Sequence, residues 1–192
     1  MKETTQTDLS RRDFISVLPG VFIATRKIAR PWAPGFWSQE VPELKEELTA
    51  DEGERVEKSS MAKELVHYFG REYSCAESLF MVSLRFLKKP EELVWVASGF
   101  GGGLYHKDLC GFLTAGIMAI GFSSGMLGLD RKEAKSRGGE LVKDYWKWWE
   151  SVAPLRCADI RKEGTSSKIC SRLGQLAAAR IQELLASRQK GG

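Results

Sequence analysis

The chain has 192 residues, 43% of them hydrophobic and 28% charged, with a net charge of +4. This is long enough for one domain with a real core plus a tail, and Lys and Arg are not massed on any one predicted helix, which argues against a nucleic-acid footprint. With two histidines, four cysteines and no Cys-x-x-Cys pair, the chain lacks the pattern of a zinc finger, and without Cys-x-x-Cys-His it lacks a c-type haem attachment.

Residues 1–33 read as an address. Ser10-Arg11-Arg12-Asp13-Phe14-Ile15 has the pattern of a twin-arginine export signal. An apolar stretch over 14–24 follows, interrupted by Pro19 and Gly20, and then a basic cluster of Arg26, Lys27 and Arg30. No clear Ala-x-Ala precedes Pro31-Trp32-Ala33-Pro34, so the segment is expected either to be cleaved or to stay as a membrane tether. The competing reading is a loose amphipathic helix carrying two chance arginines. The expected location is the periplasm or the outer face of the cytoplasmic membrane. The twin-arginine route exports folded proteins, commonly with a cofactor already inserted, so a bound cofactor is expected too. Folding would take place in a reducing compartment and service in an oxidising one.

Residues 34–53 read as a linker with a short acidic helix, and 54–188 as the domain. Ala62, Leu65, Val66 and Phe69 fall on one face of a helix that stops at Gly70. Ser74 to Glu77 is a capping box, which starts a second helix running to about Leu87 and makes Glu77 a cap, not an acid catalyst. Pro90 opens a short helix, and Phe100-Gly101-Gly102-Gly103 reads as a flexible loop. Residues 109–129 are uncharged and contain five glycines. That length suits a membrane span, but the amphipathic helices on either side need an apolar partner, so a buried central helix is expected. Asp130 to Glu133 starts a helix with Leu141, Val142, Tyr145, Trp146, Trp149 and Val152 facing inward, Trp148 leaning outward and Pro154 ending it. Ile169, Leu173, Leu176, Ala177, Ile181, Leu184 and Leu185 mark a last helix. No strand emerges. The fold class expected is all-α, a single-domain bundle around a central apolar, glycine-containing helix.

The chemistry concentrates on Cys75, Cys110, Cys157 and Cys170. Cys75, Cys110 and Cys170 fall at predicted helix starts, where unpaired N–H groups and the positive dipole end favour anions. A cysteine so placed is expected to have a lowered pKa and to be a better metal ligand or nucleophile. Their spacing leaves two disulfides, four buried thiols and a shared ligand site all open. His106 and Tyr105 are candidate ligand or proton carriers, with a solvated loop as the plainer reading, and His67 reads as structural or surface. No Ser–His–Asp motif, P-loop or dinucleotide fingerprint is present.

Tyr73-Ser74-Cys75-Ala76-Glu77, Phe100-Gly101-Gly102-Gly103, Cys110-Gly111, Cys157 and Cys170, taken in order, resemble the C_GCAxxG_C_C family of small helical redox-active proteins with four characteristic cysteines. The resemblance covers roughly residues 55–185. The family's Cys-Gly-Ala-x-x-Gly motif is here Cys110-Gly111-Phe112-Leu113-Thr114-Ala115, departing at Phe112 and Ala115. A related domain in split-Soret cytochromes accompanies haem and an iron–sulfur centre, and only the second could carry over to a chain without a haem-attachment motif. The resemblance implies an iron–sulfur cluster held by Cys75, Cys110, Cys157 and Cys170. It also implies that Gly101, Gly102 and Gly103 bring backbone N–H groups to its sulfur. The expected work is electron transfer with a redox partner protein. The alternatives are a thiol–disulfide oxidoreductase and a disulfide-stapled binding module.

Overall fold

Capping chemistry sets where the helices begin. In a computed structural model that describes residues 42–163 and 167–187, α1 (Ala50–Glu57) starts at a box in which Thr49 accepts from the Glu52 N–H and the Glu52 carboxylate accepts from the Thr49 N–H. Ser59 caps α2 (Ser60–Leu65), and Ser74 with Glu77 forms the predicted box at α3 (Cys75–Phe86). After Pro90 the chain runs as a 3-10 helix, Glu91–Phe100. Then come α4 (Gly111–Ser124) and α5 (Arg131–Val152), the latter started by Asp130 accepting from the Lys132 and Glu133 N–H groups. The short α6 (Cys157–Ile160) and long α7 (Ser167–Ser187) complete the described residues. They contain no sheet, and the fold is all-α, one domain. The twin-arginine segment and residues 34–41 lie outside the described residues.

The uncharged stretch becomes α4, packed against α3, α5, α7 and the 3-10 helix. Its 14 residues rise only about 21 Å, short of the roughly 30 Å of a bilayer core. No described helix is long and apolar enough to cross a membrane. Because α4 is surrounded, Phe112, Leu113, Ala115, Ala119 and Ile120 are all buried whichever way they point. α5 approaches it closely because Gly116 has no side chain: a Cβ there would lie 2.4 Å from the Tyr145 ring. Tyr145 and Trp149 are fully buried, whereas Leu141, Val142, Trp146 and Val152 are half-buried against the core. Trp148 is also half-buried, stacked on Tyr145 with ring centroids 5.5 Å apart.

Two local expectations are corrected. The helix read through residues 62–69 ends at Leu65, so Val66 is 43% exposed instead of sitting in the core. Phe69, on the turn that follows, still packs edge-on against Phe112, with centroids 5.1 Å apart. The supposed flexible loop at 100–103 has a defined path: the 3-10 helix ends at Phe100, Gly101 is extended, and Gly102 and Gly103 take left-handed conformations that lead into a tight turn over Gly103–Lys107. The Asp108 N–H closes that turn by donating to the Gly103 carbonyl at 2.9 Å.

Candidate functional site

Each cysteine stands at or near a helix start, and the four come from different helices. Cys75 is the first residue of α3, held by the Ser74–Glu77 box. Cys110 caps α4. Cys157 opens α6, and Cys170 is the fourth residue of α7. The backbone joins two of them directly. Leu109 and Arg156 form an isolated antiparallel bridge, in which the Cys110 N–H donates to the Leu155 carbonyl at 2.8 Å and the Cys157 N–H to the Asp108 carbonyl at 2.6 Å. An Arg156–Asp108 ion pair lies beside it.

All four cysteines line one cavity of about 540 Å³. Cys110 and Cys157 are buried, 6% and 8% exposed, whereas Cys75 and Cys170 are half-buried. Each is within electrostatic reach of at least two others. All four are free thiols. Among the described residues, no three His, Cys, Asp or Glu side chains converge tightly enough to hold a single metal ion. Phe69, Tyr73, Phe112 and Ile160 supply the apolar lining, and its charged members are Arg161 and Lys168.

Close approach here depends on two glycines. A Cβ on Gly111 would sit 2.4 Å from Cys75 Sγ, so only glycine lets the starts of α3 and α4 meet at the thiol. Gly103 has φ +68, and a Cβ there would fall 2.7 Å from Cys157 Cβ and 2.6 Å from the Asp108 carbonyl. Of the three glycines singled out in the sequence, Gly102 alone lines the cavity; Gly101 presses on Ser74 and Gly103 on Cys157. His106 and Tyr105 are exposed and do not line it, and His67 is on the surface.

The helix-start argument predicted thiols with lowered pKa, and this is overturned for two of the three it covered, Cys110 and Cys170. Burial pushes the Cys110 thiol far above its usual range, outweighing the Phe112 and Leu113 N–H groups that favour its thiolate. Burial likewise raises Cys157 against the pull of Arg161 and Lys107. Cys170 is pushed up to about 11, again by burial first, against the pull of Arg161. Desolvation outweighs the helix dipole because a buried thiolate loses its hydration and gains only partial charges in return.

Sequence reasoning missed Arg161 and Lys168, because nothing in their local pattern marks them as facing a cysteine. It quoted Gly111 as part of a motif, but the contact that requires glycine there is with Cys75, far away in sequence.

No curated protein and no solved structure is detectably similar to this chain. The family model described as "Putative redox-active protein (C_GCAxxG_C_C)" matches residues 73–184, more than half of the chain and inclusive of all four cysteines. The four-thiol cavity therefore belongs to a member of the C_GCAxxG_C_C family of redox-active proteins.

Proposed function

We propose that Cys75, Cys110, Cys157 and Cys170 ligate an iron–sulfur cluster, and that the protein is exported by the twin-arginine route to exchange electrons with a partner. The observation that carries this is the convergence of four thiols, each from a different helix, on one cavity. The donor set fits the group. A single ion needs its sulfurs crowded at about 2.3 Å from one centre, which this arrangement does not offer. A cluster spreads four thiolates over several irons, as a ring around a cavity allows.

The raised thiol pKa values support the same reading. At neutral pH, Cys110, Cys157 and Cys170 are poor thiolates on their own, which disfavours them as attacking thiols in disulfide exchange. A bound cation inverts that preference and deprotonates the thiol. When bound, the cluster would supply reversible one-electron transfer. The chain's part is to hold and shield it. The 109–156 bridge keeps Cys110 and Cys157 in register, Phe69, Phe112 and Ile160 exclude water, and Arg161 and Lys168 offset thiolate charge.

The test is the full chain carrying Arg11→Lys and Arg12→Lys, purified anaerobically from the cytoplasm. Broad visible absorbance with iron and acid-labile sulfide, lost in Cys110→Ser, is expected. A colourless, metal-free protein whose thiols titrate reversibly would sink the cluster and favour thiol–disulfide chemistry. No metal and no free thiol would leave structural disulfides. Export is tested by fractionation: the unaltered chain should leave the cytoplasm and the Lys-Lys form should stay. Equal distribution of the two would refute it.

A further inference from the structure

We infer that Tyr145 is a positioning residue for the Cys110 sulfur, acting through the peptide group that joins Phe112 to Leu113; its effect on potential rests on the ligand role proposed for Cys110. One peptide carries both contacts. Its carbonyl, that of Phe112, accepts from the Tyr145 hydroxyl at 3.1 Å. Its N–H, that of Leu113, belongs to the third residue of α4, which begins directly after the N-cap Cys110. The first N–H groups of a helix have no partner within it, and an N-cap side chain is placed to accept from the second or third. Here that side chain ends in sulfur. The neutral thiol makes no capping hydrogen bond. Against the larger push of burial, the Phe112 and Leu113 N–H groups favour its thiolate, which is the form a ligand takes.

Tyr145 is built to hold its end of this relay. Other buried hydroxyls donate back to their own helix, Ser83 to the Leu79 carbonyl and Ser124 to that of Ile120. Tyr145 instead reaches from α5 to α4, and Gly116 makes the room: a Cβ there would lie 2.6 Å from the Tyr145 hydroxyl oxygen. The ring is fully buried. Burial, and after it the charge of Cys110, hold the hydroxyl's pKa well above its usual 10, so it remains a donor. In helical geometry the Phe112 carbonyl also accepts from the Gly116 N–H, and the hydroxyl takes its second lone pair. A phenylalanine at 145 would therefore leave no backbone group unpaired, and the effect on Cys110 can be read apart from folding.

A hydrogen bond at the carbonyl of a peptide polarises the group and strengthens the bond its N–H donates, most of all where the dielectric is low. Phe112, Leu113 and Tyr145 are all at most 1% exposed. An N–H aimed at a ligand sulfur stabilises added negative charge there and so raises the reduction potential of the group the sulfur holds. Tyr145 thus acts on the site without lining the cavity. Thr114 touches the neighbouring peptide, but its hydroxyl is shared between the Cys110 and Gly111 carbonyls, at 3.3 and 3.2 Å. Two acceptors divide one proton, so its influence on the Phe112 N–H is the smaller.

The test compares Tyr145→Phe with the parent and with Ser83→Ala, which loses a buried hydroxyl from α3. Amide proton shifts are recorded on the isotope-labelled, metal-free full chain. Iron, acid-labile sulfide, Tm and a reductive titration are recorded on the chain purified anaerobically. In Tyr145→Phe the Leu113 amide proton should move upfield. At the parent's midpoint its reduced-to-oxidised ratio should fall about threefold, at parental iron and sulfide. Ser83→Ala should change neither reading, whatever its Tm. A Leu113 amide proton unmoved by Tyr145→Phe would overturn the assignment. So would a parental ratio in Tyr145→Phe, or an equal fall in Ser83→Ala, which would make the effect one of general loosening. Absence of iron and sulfide from the parent strikes the cluster reading alone, because the amide shift decides the relay without a cluster.

Discussion

Gly111 is the residue on which the meeting of two cysteine-bearing helices depends. A methyl group there would lie 2.4 Å from Cys75 Sγ, 3.0 Å from the Phe100 carbonyl and 3.2 Å from the Ala76 nitrogen. Two of these neighbours are backbone, so the start of α3 has to move away. Gly111→Ala is expected to cost about 1–3 kcal/mol from overpacking and, under the proposed cluster ligation, to leave a folded protein with less than half the parent's iron. Parental iron content in this variant would remove Cys75 from the ligand set. Cys170 gives a second residue-scale prediction, for the metal-free protein. Burial lifts its pKa from 9.0 to about 11 in the fold, so between those values the unfolded chain has already lost the proton that the folded chain keeps. The folded state then binds more protons, and stability falls as pH rises through this window. Urea midpoints should decline from about pH 9 to pH 11 and decline less in Cys170→Ser; identical slopes would contradict the assignment.

At the scale of elements, two capping residues of similar strength have different consequences. Ser74 caps α3, which carries Cys75 at its first position, and Asp130 caps α5, which carries no cysteine. Either residue changed to Ala should cost about 1 kcal/mol, read as a lowered Tm. Only Ser74→Ala frays the turn that positions a thiol, so under the proposed cluster ligation only it should speed loss of iron to a chelator. Equal chelation rates in the two variants would show that the first turn of α3 is held by packing rather than by its cap. Gly101 also packs on Ser74, so the cap helps to seat the turn that covers the cavity.

For the molecule as a whole, the pair Glu52–Arg172 ties the first described helix to the last. Arg172 is 6% exposed and donates twice to the Glu52 carboxylate, from Nε at 3.0 Å and from Nη2. Burial alone would raise the Glu52 pKa, but hydrogen bonds from Arg172 and the Thr49 N–H outweigh it, and the net shift is below the usual 4.5. A depressed pKa means that this contribution is present above the ordinary carboxylate range and is lost as pH falls below about 4.5. Glu52→Gln strands a buried guanidinium and should cost about 3 kcal/mol at pH 7, with a shallower loss of stability between pH 5 and pH 3 than in the parent. A cost near zero would show that α1 contributes little to the fold.

Much of this was legible locally. The all-α class, the box at Ser74 and Glu77, the cap at Asp130 and the inward row of α7 follow from patterns that span only a turn or two, and such patterns act before any tertiary contact forms. The four cysteines could be picked out as the chemical centre because thiols at helix starts are a local feature too. What the tertiary structure decided is non-local. It determined that the four thiols share one cavity, and that burial, not the helix dipole, sets the pKa direction of three of them. It also determined how the departure at Phe112 is absorbed, since Gly174 on α7 leaves room for that ring: a Cβ there would lie 2.6 Å from Phe112 Cζ. Desolvation and close approach depend on atoms brought from distant parts of the chain, and no window of neighbouring residues contains them.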